Sequence, residues 1–183
     1  MLIRRETPAD VDAIRAVVIA AFTSPAASDT AASDTAAPGT VPPEAALVDE
    51  LRAGPAWLPP LSLVACAPGG DVIGHVLCTR GHVDGQPALG LAPLSVHPGH
   101  QRRGVGSALM HAVLGAADAL GEPLAALLGD PAYYARFGFA PARSYRIRPP
   151  VPGWEPHFQV RALTAYRASL AGTFCYPGAF DRV

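Results

Sequence analysis

HPGHQRRGVGSALM, residues 97–110, sets two arginines and two spaced glycines between a Pro-Gly turn and an apolar run. Glycine removes the side chain where a backbone must approach a ligand closely. Cationic side chains beside the first amides of a helix make a place for an anion, most often phosphate. Fold and function turn on which phosphate loop this is. A Walker A loop requires G-x-x-x-x-G-K-S/T. Gly99 and Gly104 have that glycine spacing, but Val105 stands at the lysine position and the chain contains no lysine. A dinucleotide fingerprint requires G-x-G-x-x-G, and the matching stretch from Gly104 to Leu109 ends in leucine. The acid such a site needs at the end of the next strand is also missing, because Glu122 falls at that strand's start. That motif opens its sheet, whereas here two helices and at least three strands come first. Neither template fits.

The elements on either side follow from periodicity and punctuation. LIRRE, 2–6, reads as a strand. Thr7, Pro8 and Asp10 then form a helix start with a capping-box acid, and Val11, Ile14, Val18, Ala21 and Phe22 keep helical spacing behind it. Residues 24–42 collapse into Ala, Ser, Asp, Thr, Pro and Gly, with AASDT repeated in tandem, a low-complexity loop insertion. A second helix is predicted near Pro43–Ala53. LSLVACA, 61–67, and VIGHVLCTR, 72–80, are strands joined by a Pro-Gly-Gly-Asp turn. ALGLAPLSV, 88–96, is a strand interrupted by Pro93, which cannot donate to a ladder and so marks an edge or a bulge. Gly104–Leu120 is the clearest helix, with Val105, Leu109, Ala112, Val113, Ala116 and Leu120 as its stripe. A buried strand at 124–129 follows, then a short aromatic helix near Asp130–Phe137 and the pair Gly138-Phe139. Further strands are predicted near 143–148, 157–163 and 172–176. The class is mixed α/β with a largely antiparallel, twisted sheet.

At 183 residues and 50% hydrophobic, the chain can bury one sizeable core, so a single domain over 1–183 is expected. A formal net charge of -1 gives no general basic surface for nucleic acid or a membrane. No apolar run reaches bilayer length, and the first ten residues lack a signal-peptide core. Cys66, Cys78 and Cys175 are odd in number and lack metal-ligand spacing. Buried, reduced thiols, no metal and a cytoplasmic setting are the expectations.

The stretch Gln101-Arg102-Arg103-Gly104-Val105-Gly106 resembles the Q/R-x-x-G-x-G/A loop of the GNAT family of N-acetyltransferases. The order of elements from residue 2 to about 140 resembles that family as well. LGLAPLSVHPGHQRRGVGSALM and LLGDPAYYARFGF are similar to a bacterial subgroup of small members. The resemblance implies acetyl-CoA as cosubstrate, with its pyrophosphate on the loop Gln101, Arg102, Arg103, Gly104, Val105, Gly106 and Ser107. It also implies a bulged central strand whose amides at Leu94, Ser95 and Val96 hold the pantetheine arm and thioester.

Acetyl transfer by direct attack needs a neutral amine, a polarised carbonyl and a proton for the departing thiolate. The family's tyrosine lies four residues before the glycine of a Gly-Phe pair, which implies Tyr134 as that acid. On a short helix a tyrosine pair is also a common packing device, and Tyr133, four residues before Phe137, reads as core. The asparagine often found before this helix is absent, with Gly129-Asp130 in its place. Glu44 and Glu50 on the second helix are candidates for the acceptor side, although a charged helix face in water is the commoner state. His75 and His82 read as structural histidines. His97 and His100 flank the loop without a third metal ligand, and His111 reads as solvated. The expected activity is acetylation of a primary amine on a small molecule or peptide, by a monomer or homodimer. The alternative is an acyl-CoA-binding sensor that has lost turnover.

Overall fold

The computed structural model describes residues 1–23 and 41–182. The predicted insertion therefore lies outside the described residues except for Val41 and Pro42, which lead into the second helix. Strands β1 (Leu2–Arg5), β2 (Ser62–Cys66), β3 (Val72–Val83) and β4 (Gln86–Val96) form an antiparallel meander. β5 (Leu124–Leu128) joins β4 in parallel, and β8 (Phe158–Ala162) continues the sheet antiparallel to β5, with β6 (Ala140–Pro141) beyond it. β9 (Gly172–Cys175) returns to pair the far end of β3, and β7 (Ile147–Arg148) pairs β9 in parallel. The mixed, largely antiparallel sheet is as expected.

Helices α1 (Val11–Phe22) and α2 (Pro43–Ala53) cover one face, where Ile14, Val18, Ala45 and Val48 pack on Val64 and Cys66. Helix α3 (Val105–Ala119) covers the other, burying Val105, Leu109, Met110, Val113, Leu114 and Ala117 against Leu63, Ala65, Val76 and Cys78. The predicted stripe is corrected at its end. Leu120 is 52% exposed, because the helix stops at Ala119 and Gly121, at φ +75, turns the chain away. Met110, Leu114 and Ala117 complete the buried face instead.

The β3–β4 hairpin is tighter than the sequence reading had it. Asp84 and Gly85 both have positive φ, 43° and 80°, as a two-residue turn matching strand twist requires. This turn extends both strands. Cys175 is a second correction. It is exposed while Cys66 and Cys78 are buried, because strand alternation gives the inward position to Phe174.

The β1–α1 link is held by ion pairs. Arg4 donates to both oxygens of Asp10 at 2.7 and 2.8 Å, and Asp10 also accepts from the Thr7 amide at 2.7 Å. Glu6 accepts from Arg52 of α2 at 2.8 Å and from the Ser62 hydroxyl of β2. Burial opposes the Glu6 charge, but the hydrogen bonds from His75, Arg52 and Ser62 outweigh it and hold the carboxyl down at about 2. The hydrogen bonds from Arg4 likewise hold Asp10 well below the usual carboxylate range. A depressed folded-state value means stability fully present above the unfolded value near 4.5 and lost as pH falls toward 2. Acid titration of the fold should show that limb, and Glu6→Gln should flatten it while lowering stability at neutral pH.

Candidate active site

The site begins where β4 and β5 part. They pair only at Leu89 with Ala125 and Gly90 with Ala126, then diverge, so the β5-facing edge of Leu91–Val96 carries no ladder partner. On the other edge the register passes from Cys78–Leu91 to Val76–Leu94. Ala92 and Pro93 therefore oppose Leu77 alone. This is the bulge that Pro93 announced, and it lies inside the sheet. The side chains of Leu94 and Val96 point toward α3, near Gly106. Ser95 points the opposite way, beneath α1 and α2, and is 1% exposed.

The loop after β4 is closed by its own polar groups. The Gly99 amide donates to His97 Nδ1 at 3.2 Å, and Gln101 Nε2 donates to the Val96 carbonyl at 3.0 Å. Arg102 and Gly104 take positive φ, 57° and 83°, which turns the chain so that α3 starts with its amides facing out. No side chain caps that start. The amides of Val105, Gly106 and Ser107 precede the first intrahelical bond, from Ala108 to the Gly104 carbonyl at 3.0 Å. Arg102 and Arg103 are exposed beside them. Unmet amides, the positive end of a helix dipole and two guanidinium groups converge here, a complete anion grip.

Across the cleft, Asp130 caps the short helix α4 (Pro131–Tyr134) by accepting from the Ala132 amide at 2.8 Å. The two tyrosines divide the work differently from the sequence reading. Tyr133 does not simply enter the core. Its hydroxyl reaches α3 so closely that a Cβ on Gly106 would lie 2.9 Å from it, and it lies near Ser107. The Arg136 guanidinium lies over its ring at 4.9 Å. Tyr134 lays its ring on Gly129, where a Cβ would come within 2.4 Å, and packs edge-on to Tyr133 and Phe139. No hydrogen bond occupies its hydroxyl among the described residues. Burial pushes the Tyr134 phenol well up, with Tyr133 and Asp130 adding to it. Tyr134 therefore stays protonated throughout the physiological range.

Glu44, in the first turn of α2, is 9% exposed, and burial raises its carboxyl against the opposing pull of its own amide. Glu50, six residues on, lies well around the helix and is half-buried. The structure thus places the two carboxylates on different faces. His82 and His111 are exposed, and His111 lies edge-on to Phe137. His75 is fully buried beside Glu6.

A meander opening into a splayed parallel pair, with an uncapped, arginine-flanked helix start at the mouth, defines an α/β acetyltransferase fold. The family model described as Acetyltransferase (GNAT) family matches residues 34–139, and the chain belongs to that family. It is 35% identical over 165 residues to the uncharacterized N-acetyltransferase YhbS of Escherichia coli K12, covering 89% of this chain and 87% of that one. The crystal structure of YhbS from Escherichia coli in complex with CoA matches with a TM-score of 0.83 at 32% identity, over 99% of this chain and 92% of that one. A GNAT family acetyltransferase from Brucella melitensis in complex with acetyl-CoA matches at 0.75 and 32%, over 98% and 97%.

Proposed function

We propose that this chain transfers the acetyl group of acetyl-CoA to a primary amine of a small molecule or peptide by direct attack. The observation that carries the proposal is the uncapped start of α3, flanked by Arg102 and Arg103, at the mouth of the β4–β5 cleft. The amides of Gly104, Val105, Gly106 and Ser107, with the two arginines, suit a pyrophosphate. Gln101 supports the loop by tying it to Val96. The free edge of Leu94, Ser95 and Val96 suits an extended pantetheine arm and can polarise a thioester carbonyl. As the amine–carbon bond forms and the carbon–sulfur bond breaks, the Tyr134 hydroxyl gives its proton to the leaving sulfur.

Glu44 is the acceptor-side residue of this proposal, since a buried carboxylate with no cation beside it among the described residues attracts an ammonium group. Because burial raises Glu44, its charged form costs the fold stability as pH rises from the unfolded value through its own titration. Glu44→Gln should therefore raise the melting temperature at pH 7 while raising KM for the amine. Thermal melts and amine-saturation curves check the two effects together.

The direct test is a screen of primary amines for CoA thiol release. Turnover on any of them establishes the enzyme. Tight acetyl-CoA binding without turnover would instead identify an acyl-CoA sensor.

A further inference from the structure

The buried face of the sheet opposite α3 holds a polar chain that the proposed transfer does not yet use. His75, on β3, is completely buried. Its Nε2 lies 3.0 Å from the Ser62 hydroxyl and 3.3 Å from Glu6 Oε2. The Ser62 proton is committed to Glu6, and an ionised Glu6 only accepts. Nε2 must therefore carry the ring proton, which leaves Nδ1 as a bare acceptor. Nδ1 is buried and has no partner. Directly opposite on β4 stands Ser95, whose hydroxyl is also buried without a partner. Side chains at facing positions lie roughly 4.5–5.5 Å apart at Cβ; the two atoms are not bonded to each other at rest, so the link forms when the Ser95 side chain turns toward the ring.

We propose that Ser95, His75 and Glu6 form a proton relay that takes the proton lost by the acceptor amine. Ser95 lies in the bulged segment whose backbone faces the thioester, and the relay rests on the acetyltransferase reading. The acceptor ammonium gives one proton through Ser95 to His75 Nδ1. The imidazolium so formed is stabilised by the Glu6 carboxylate across Nε2–H. The neutral amine then attacks, the sulfur takes its proton from Tyr134, and the proton shed by the new amide nitrogen restores the Tyr134 hydroxyl, so that the proton held by His75 is the one released per turnover. His75 acts through Ser95, so it is a positioning residue rather than one touching substrate. The charged groups around it are Glu6 from the β1–α1 link and Arg52 from α2. Asp49 lies behind Arg52, and Arg15 of α1 pairs with Asp49. Burial pushes the His75 ring down and Glu6 pulls it partly back, so the ring rests neutral and the Glu6 carboxylate offsets part of the cost of its charged form.

His75→Gln keeps an amide donor toward Glu6 and removes the Nδ1 acceptor, while Ser95→Ala cuts the link and leaves the dyad. Both should bind CoA within about twofold of wild type by calorimetry. With an aliphatic amine, which is charged at neutral pH, kcat should fall ~10²-fold. With a weakly basic amine, already neutral, it should fall severalfold less. In wild type, ¹⁵N spectra of His75 should show the Nε2–H form and a shift in Ser95→Ala. A protonated Nδ1, or equal losses on both amines, overturns the relay alone. Failure of wild type to turn over any amine while binding CoA overturns the acetyltransferase reading and the relay with it.

Discussion

Tyr134→Phe should lower kcat by ~10²–10⁴-fold, about 3–5 kcal/mol of barrier, while leaving CoA affinity nearly unchanged. The substitution keeps the ring that fills the space over Gly129 and packs on Phe139. Only the unpartnered hydroxyl is lost. Because burial holds this phenol well above its ordinary value, wild type and variant should share the same alkaline limb. An alkaline decline in activity belongs to another group. Tyr133→Phe is the contrast. Its hydroxyl meets Gly106 and Ser107, so its removal should weaken CoA binding more than it slows the chemical step. Matched pH–rate profiles and CoA titrations separate the two residues. Wild-type turnover in Tyr134→Phe would make that ring a packing element and assign the proton to another donor.

Reversing both loop charges, Arg102→Glu with Arg103→Glu, should weaken CoA binding by at least ~10²-fold. One hydrogen bond to a charged group contributes about 1.5–3 kcal/mol, and here two would be replaced by repulsion from the pyrophosphate. Both side chains are exposed, so the melting temperature should barely move. Gly106→Glu should abolish binding too, but less cleanly. Any side chain there meets the Tyr133 hydroxyl, and α4 must shift. Calorimetry with CoA, run beside thermal melts, distinguishes loss of the anion grip from displacement of α4. Unchanged affinity in the arginine double variant would overturn the assignment of the loop.

Much of this molecule was legible because its signals are local. Pro43–Ala53 is the helix that the apolar spacing of Leu47, Val48 and Leu51 and the Gly54-Pro55 stop predicted, and Pro93 marked an edge or a bulge, here a bulge, because a residue without an N–H cannot complete a ladder. The phosphate role proposed for the loop Gln101–Ser107 rests on glycine spacing and charge, which are local as well. The Asp84-Gly85 hairpin was equally local, and its dipeptide was the available signal for it.

Other features depend on residues far apart in sequence. Nothing near Tyr133 in the chain shows that its hydroxyl reaches Gly106, because that contact exists only once α4 docks on the start of α3. The division between Tyr133 and Tyr134 is set by which ring finds the bare surface of Gly129. His75 reads from sequence as an ordinary buried strand histidine. Its contacts with Glu6 and Ser62, and the place of Ser95 opposite it, need the β1–α1 link, β2 and β4 all in register around β3. Periodicity, turn chemistry and glycine spacing thus determined the elements and the anion proposed for the loop. Tertiary packing decided which hydroxyls, carboxylates and imidazole nitrogens are left without partners, because burial and pairing belong to the assembled sheet and its helices.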